Sequence, residues 1–101
     1  MTELELFTLL QELKIAVAYD HFIDKQPVPF IVYRNAENVI FYADDKAYFL
    51  DNQFEVVLVT AFKDLELEND LEALFDENNI SFQKEEYFND AERVYQITYT
   101  I

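Results

Sequence analysis

Two adjacent acids, Asp44 and Asp45, stand in the stretch VIFYADDKAYFLD (residues 39–51) between two runs of aromatic residues. Neighbouring carboxylates are the raw material of acid–base pairs and of sites for hard divalent cations. A strand works against both uses, because successive side chains point to opposite faces and cannot converge on one ion. In a turn they could converge, but the sequence supplies no further ligand set around them. Aspartate is also a turn residue in its own right, since its carboxylate hydrogen-bonds its own backbone. The pair is therefore read as the polar tip of a β-hairpin.

The other chemistry-bearing residues are few. His21, in AYDHF, is the only histidine, and Ser81, in ISFQKE, is the only serine. A Ser-His-Asp triad would have to use both. Ser81 lies on an expected strand without a nucleophile-elbow motif, so His21 is read as a loop or boundary residue. Cysteine is absent, which excludes disulfides, thiol catalysis and thiolate zinc sites. Glycine is absent too, which excludes P-loops and dinucleotide fingerprints, because there the backbone must approach phosphate closely. No cofactor, metal or enzymatic activity is expected. Left-handed turn positions then fall to Asn or Asp, with Asn52, Asn78, Asn79 and Asn89 as candidates.

Charge narrows the partners. Seven basic residues stand against 21 acidic ones, a net of −14. Groove binding to nucleic acid needs clustered Lys and Arg to displace counterions, and no cluster exists here. Sequence-specific nucleic-acid binding is not expected, and neither is attachment to anionic membranes. The N-terminal MTELELFTLLQELK lacks a basic segment of the secretory kind, and no apolar run nears the roughly 20 residues of a membrane span. With 101 residues, 51% of them hydrophobic, the chain suits one domain over residues 1–101 with a single core.

The elements that must position these residues follow from periodicity. Leu6, Leu9, Leu10, Leu13 and Val17 share one helical face, and Thr2 with Glu5 has capping-box spacing, predicting a helix over 2–14. Pro27 and Pro29 mark a loop over 20–29. Residues 29–35 and 38–44 read as strands joined by a short turn at Ala36 and Glu37. The following run is too long for one strand. Residues 46–51 are read as extended or as an arm, and 54–62 as a central strand because Val56 to Val59 are apolar on both faces. A second helix over 64–78 has Asp64 as N-cap and Leu67, Leu71, Leu74 and Phe75 as its buried stripe. Residues 80–85 and 92–101 alternate, with Tyr95, Ile97, Tyr99 and Ile101 on one face. The expected fold is α+β, a mainly antiparallel sheet packed with two helices in the order α-β-β-β-α-β-β.

Two features invite more than a structural reading. The second helix carries Asp64, Glu66, Glu68, Asp70, Glu72, Asp76 and Glu77, read as a solvated face on which Glu68 and Glu72 are dispensable. Asp76 and Glu77 oppose the dipole at the helix C-terminus, so helix stability does not account for them. Phe41, Tyr42, Tyr48 and Phe49 belong either to core alone or to core plus a subunit interface.

Three segments together resemble small structural proteins of tailed phages and prophages of Gram-positive bacteria, in the tail-terminator or tail-to-head joining class. They are AYDHF…PVPFIVY (18–33), FYADDKAYF (41–49) and LVTAFKDLELENDLEALFDENNISFQKEEYF…YQITYTI (58–101). The likeness covers nearly the whole chain, without a catalytic signature. It implies an α+β domain that assembles as a ring, commonly hexameric, with other head and tail proteins. The implied role is assembly in the host cytoplasm and then residence in the virion. Relatives often have proline after the helix-capping Asp and glycine before the fourth strand, where this chain has Leu65 and Asn79. Within that picture residues 42–53 are the expected assembly element, with Tyr42, Asp44, Asp45, Lys46, Tyr48 and Phe49 at the interface. The rival reading is an acidic DNA mimic that presents carboxylates to a basic nucleic-acid-binding protein.

Overall fold

Helix α1, Glu3–Leu10, starts where Thr2 accepts a hydrogen bond from the Glu5 amide at 3.1 Å. This is half of the expected capping box. The computed structural model describes residues 2–35, 40–43, 46–49 and 54–101. The helix tightens into a 3-10 turn at Gln11–Leu13 and stops at Lys14, whose φ of 59° is left-handed. The predicted helix is thus shorter at its end. Val17, expected on its apolar face, lies instead in strand β1, Ala16–Tyr19.

Four further strands join β1 in one sheet. They are β2, Phe30–Asn35; β5, Phe54–Thr60; β6, Gln83–Asn89; and β7, Val94–Thr100. Between β2 and β5 the chain forms β3, Ile40–Ala43, and β4, Lys46–Phe49, which pair only with each other. Helix α2, Leu65–Glu77, follows β5. The sheet order is β1-β2-β5-β7-β6. Every neighbouring pair is antiparallel except β1 with β2, which run parallel, so the sheet is mixed. The α+β class holds, with two corrections. Strand β1 is additional, and β2 pairs with β5 rather than with β3 across a short turn.

The parallel pair has a consequence for the loop before β2. Parallel neighbours need a connection that travels back the length of the strand. Residues 20–29 make that return across one face of the sheet, without a helix. The opposite face is covered by both helices. Leu6 and Leu10 of α1 and Leu71 and Phe75 of α2 pack there on Ile31, Tyr33, Phe54, Val56, Leu58, Ile97 and Tyr99. Leu67 is only partly buried and Leu74 half-buried. Strand β5 is central, as its doubly apolar sequence requires.

Helix α2 is bounded locally at both ends. Asp64 accepts from the Leu67 amide at 3.1 Å. At the far end Asn79 has φ 57°, the Ile80 amide donates to Phe75 and the Asn79 amide to Asp76. That pair of bonds is the Schellman arrangement, completed by asparagine in a chain without glycine. Of the other asparagines considered for this role, Asn78 has φ −102° and Asn89 is not left-handed, while Asn52 lies outside the described residues. Among the described residues the other positive-φ positions are Lys14, Asp20 and Arg93.

Candidate functional site

Of the expected assembly region, residues 42–53, the described ones are 42–43 and 46–49, which lie in the separate β3–β4 hairpin, and 44–45 and 50–53 lie outside the described residues. Asn35 and Phe54 are directly opposite each other in the β2–β5 ladder, so the chain leaves the sheet after Asn35 and rejoins it at the facing Phe54. Both roots are held. The Asn35 side chain donates to Glu3 at 2.6 Å and its backbone amide to the Tyr19 hydroxyl at 3.3 Å. Phe54 exchanges both backbone hydrogen bonds with Ile101 at 3.1 and 2.9 Å. Within the branch, Ile40 pairs with Phe49, Phe41 with Tyr48, Tyr42 with Ala47 and Ala43 with Lys46. The antiparallel hairpin therefore places Tyr42, Lys46, Tyr48 and Phe49 on two paired strands. Asp44 and Asp45 lie outside the described residues.

The residues weighed for catalysis do not assemble. His21 follows β1, at one edge of the sheet, and Ser81 precedes β6, at the other. The exposed His21 ring places Nδ1 3.0 Å from an Asp20 carboxylate oxygen. Among the described residues no group of three or more histidines and acids is arranged to hold a metal. No helix among them is long and apolar enough to cross a membrane.

The acidic helix is where the expectation fails. Glu66, Asp70, Asp76 and Glu77 are exposed as expected, but Glu68 is only 1% exposed. It occupies the stripe of Leu71 and Phe75, at helical spacings of three and seven. Its carboxylate meets Lys84 Nζ at 2.8 Å through Oε1 and Lys63 Nζ at 3.0 Å through Oε2. Lys63 Nζ also donates a hydrogen bond to Oε1 at 3.1 Å, whereas its contact with Oε2, which has no well-directed hydrogen bond, is ionic. Lys63 also pairs with Glu86, and Lys84 with Glu72 at 3.1 Å. Glu72 in turn accepts from the buried Tyr99 hydroxyl at 3.0 Å. A network thus ties α2 to β6 and β7 at the edge of the core.

The electrostatics follow from this geometry. Burial pushes the Glu68 carboxyl up, but the hydrogen bonds from Lys84 and Lys63 outweigh it and hold the group below its ordinary value. Bonds to Glu86 and Glu68 raise Lys63, and bonds to Glu68 and Glu72 raise Lys84. Burial first, and the bond to Glu72 second, raise the Tyr99 phenol. With Glu68 held below its ordinary value and both lysines above theirs, these three groups stay ionised near neutrality and lock the elements together. Sequence reading missed Glu68 because a glutamate was assigned to solvent by type. The signal was its phase with Leu71 and Phe75, together with Lys84 and Glu86 alternating in step with Phe82 and Phe88.

The opposite face of the sheet carries a cleft of about 770 Å³ beneath residues 20–29. Val32, Val57, Val59 and Val94 floor it, and Phe30 stacks edge-on against Phe22 of the loop with centroids 5.3 Å apart. Arg34 at one end is bonded to Glu55 by Nε at 2.8 Å and by Nη2 at 2.7 Å. Asp20, Asp24, Lys25 and Glu92 stand at the margin. No family model, curated protein or solved structure matches the chain.

Proposed function

We propose that the protein is a non-enzymatic structural component of a tailed phage or prophage. In this reading it is a ring-forming subunit of the tail-terminator or head–tail joining class, made in the host cytoplasm and carried into the virion. The observation that supports the reading is the branch at residues 36–53, which the sheet does not need. Because Asn35 faces Phe54, a two-residue turn could close the β2–β5 hairpin. The chain instead spends those residues on a separate two-stranded hairpin whose sequence includes Phe41, Tyr42, Tyr48 and Phe49. In a ring, each hairpin engages the next subunit in a head-to-tail contact that closes by rotation. The strongly negative subunits suit the wall of a DNA channel, since phosphates slide past without binding.

Subunits of net charge −14 repel one another, so ring formation strengthens as salt screens the repulsion. The test replaces residues 36–53 by Asn-Gly and, separately, makes Tyr48→Ser with Phe49→Ser. Both variants are expected to keep the circular dichroism of the parent. Neither should form rings by light scattering and electron microscopy, nor join heads to tails in an assembly assay. A shortened variant that assembles like the parent would sink the proposal.

A further inference from the structure

We infer that the cleft on the open sheet face docks a cationic segment of a partner protein, anchored by an apolar side chain on the valine floor. The volume of about 770 Å³ lies within the roughly 300–1,000 Å³ of ligand-binding clefts, enough for a few side chains of an extended segment. The floor offers the anchor its contact, because Val32, Val57 and Val94 are only half-buried beneath the loop. Phe22 of the loop also lines the cleft and adds apolar surface.

Charge selects the occupant. Arg34 is neutralised by Glu55 and Asp20 is engaged by the His21 ring, which leaves Lys25 against Asp24 and Glu92 around the cleft. Lys63 and Lys84 are engaged in the network on the other face and cannot offset this margin. The sequence of residues 36–53 carries four acids and a single cation, Lys46, so that segment of a second copy would meet like charge. Nucleic acid meets the same repulsion. A segment with Lys or Arg flanking an aromatic or aliphatic residue matches both the floor and the rim. This inference is independent of ring formation, which uses the branch and is favoured by salt, whereas docking at the cleft is weakened by salt.

The probe is a fluorescently labelled peptide of Lys and Ser around a central Phe–Leu pair, read by fluorescence anisotropy with the full chain. Two control peptides carry Glu in place of Lys, or Ser–Ser in place of Phe–Leu. The first peptide is expected to bind at least about tenfold more tightly than either control. Reversing the exposed rim with Asp24→Lys and Glu92→Lys should weaken it about tenfold or more, and raising salt should weaken it further. Val57→Gln should also weaken it, and if that variant unfolds, the rim variant decides. Absence of binding overturns the inference. So does equal affinity for the peptide lacking Phe–Leu, or full affinity in the rim variant. Light scattering on the same samples keeps the two proposals apart, since rim reversal should leave ring formation intact.

Discussion

The two faces of the five-stranded sheet are built from the same strands but reach different states. On β5, Leu58 is fully buried beneath the helices, while its neighbour Val57 points to the open face and stays only partly buried. On the helix face even a carboxylate is buried, because Lys63 and Lys84 converge on it from outside the helix. On the open face a single loop leaves Val32, Val57 and Val94 only partly buried, although Val59 beside them is buried, and acids at its margin outnumber the free cation. The difference teaches that burial on a doubly apolar strand is assigned by what lies over it. It also separates a network that consumes its charges internally from a surface that leaves charge available to a partner.

The comparison breaks most readily at the core. Leu58→Ala and Leu71→Ala should each cost about 2–5 kcal/mol in urea unfolding, the range for emptying a packed leucine site. Val57→Ala should cost less, about 1 kcal/mol, since two methyl groups are lost from a side chain that is only partly buried. Equal losses at Leu58 and Val57 would mean that the faces do not differ.

Next comes the ionic network. Lys84→Met strips Glu68 of one partner and leaves Lys63, so the loss should be about 2–3 kcal/mol. That is below the roughly 3–5 kcal/mol of a buried charge left wholly unpaired. Adding Glu68→Met to Lys84→Met should recover much of it, because the stranded charge is then gone. A double variant less stable than Lys84→Met alone would contradict this account.

The same network sets the pH limits of stability. The Glu68 carboxyl is lowered in the folded state from its ordinary 4.5. Its contribution is complete above that value and is lost as pH falls through the lower folded one. Lys63 and Lys84 are raised from 10.5, so theirs is complete below 10.5 and is lost as pH rises through the folded values. Tyr99, raised from 10.0, acts in the same direction, because the unfolded chain ionises first. The urea midpoint should therefore fall on both sides of neutrality, and Glu68→Gln should flatten the acid limb. The smallest effect is expected at the exposed His21, where substitution by Ala should change stability by no more than about 0.5 kcal/mol.

Features that depend on neighbours in the chain were legible in the sequence. Thr2 and Asp64 cap their helices, Asn79 takes the left-handed place after α2, and β5 lies at the centre of the sheet. Each rests on a local bond or a period that short stretches of chain carry by themselves. Ile97 and Tyr99 point inward for the same reason, since alternation on a strand sets their common face.

Tertiary structure decided what depends on distant partners. Ala16–Tyr19 is too short to declare itself, and it becomes a strand only by pairing in parallel with β2. That pairing sends residues 20–29 back across the sheet and so creates the cleft. The pairing of β2 with β5 turned an apparent hairpin into a branch. Glu68 looked solvated because its own helix offers it no cation, and Lys63 and Lys84 reach it only once α2 lies against β6. A charge is buried or exposed according to the partners that the fold delivers, and residue type alone does not contain that information.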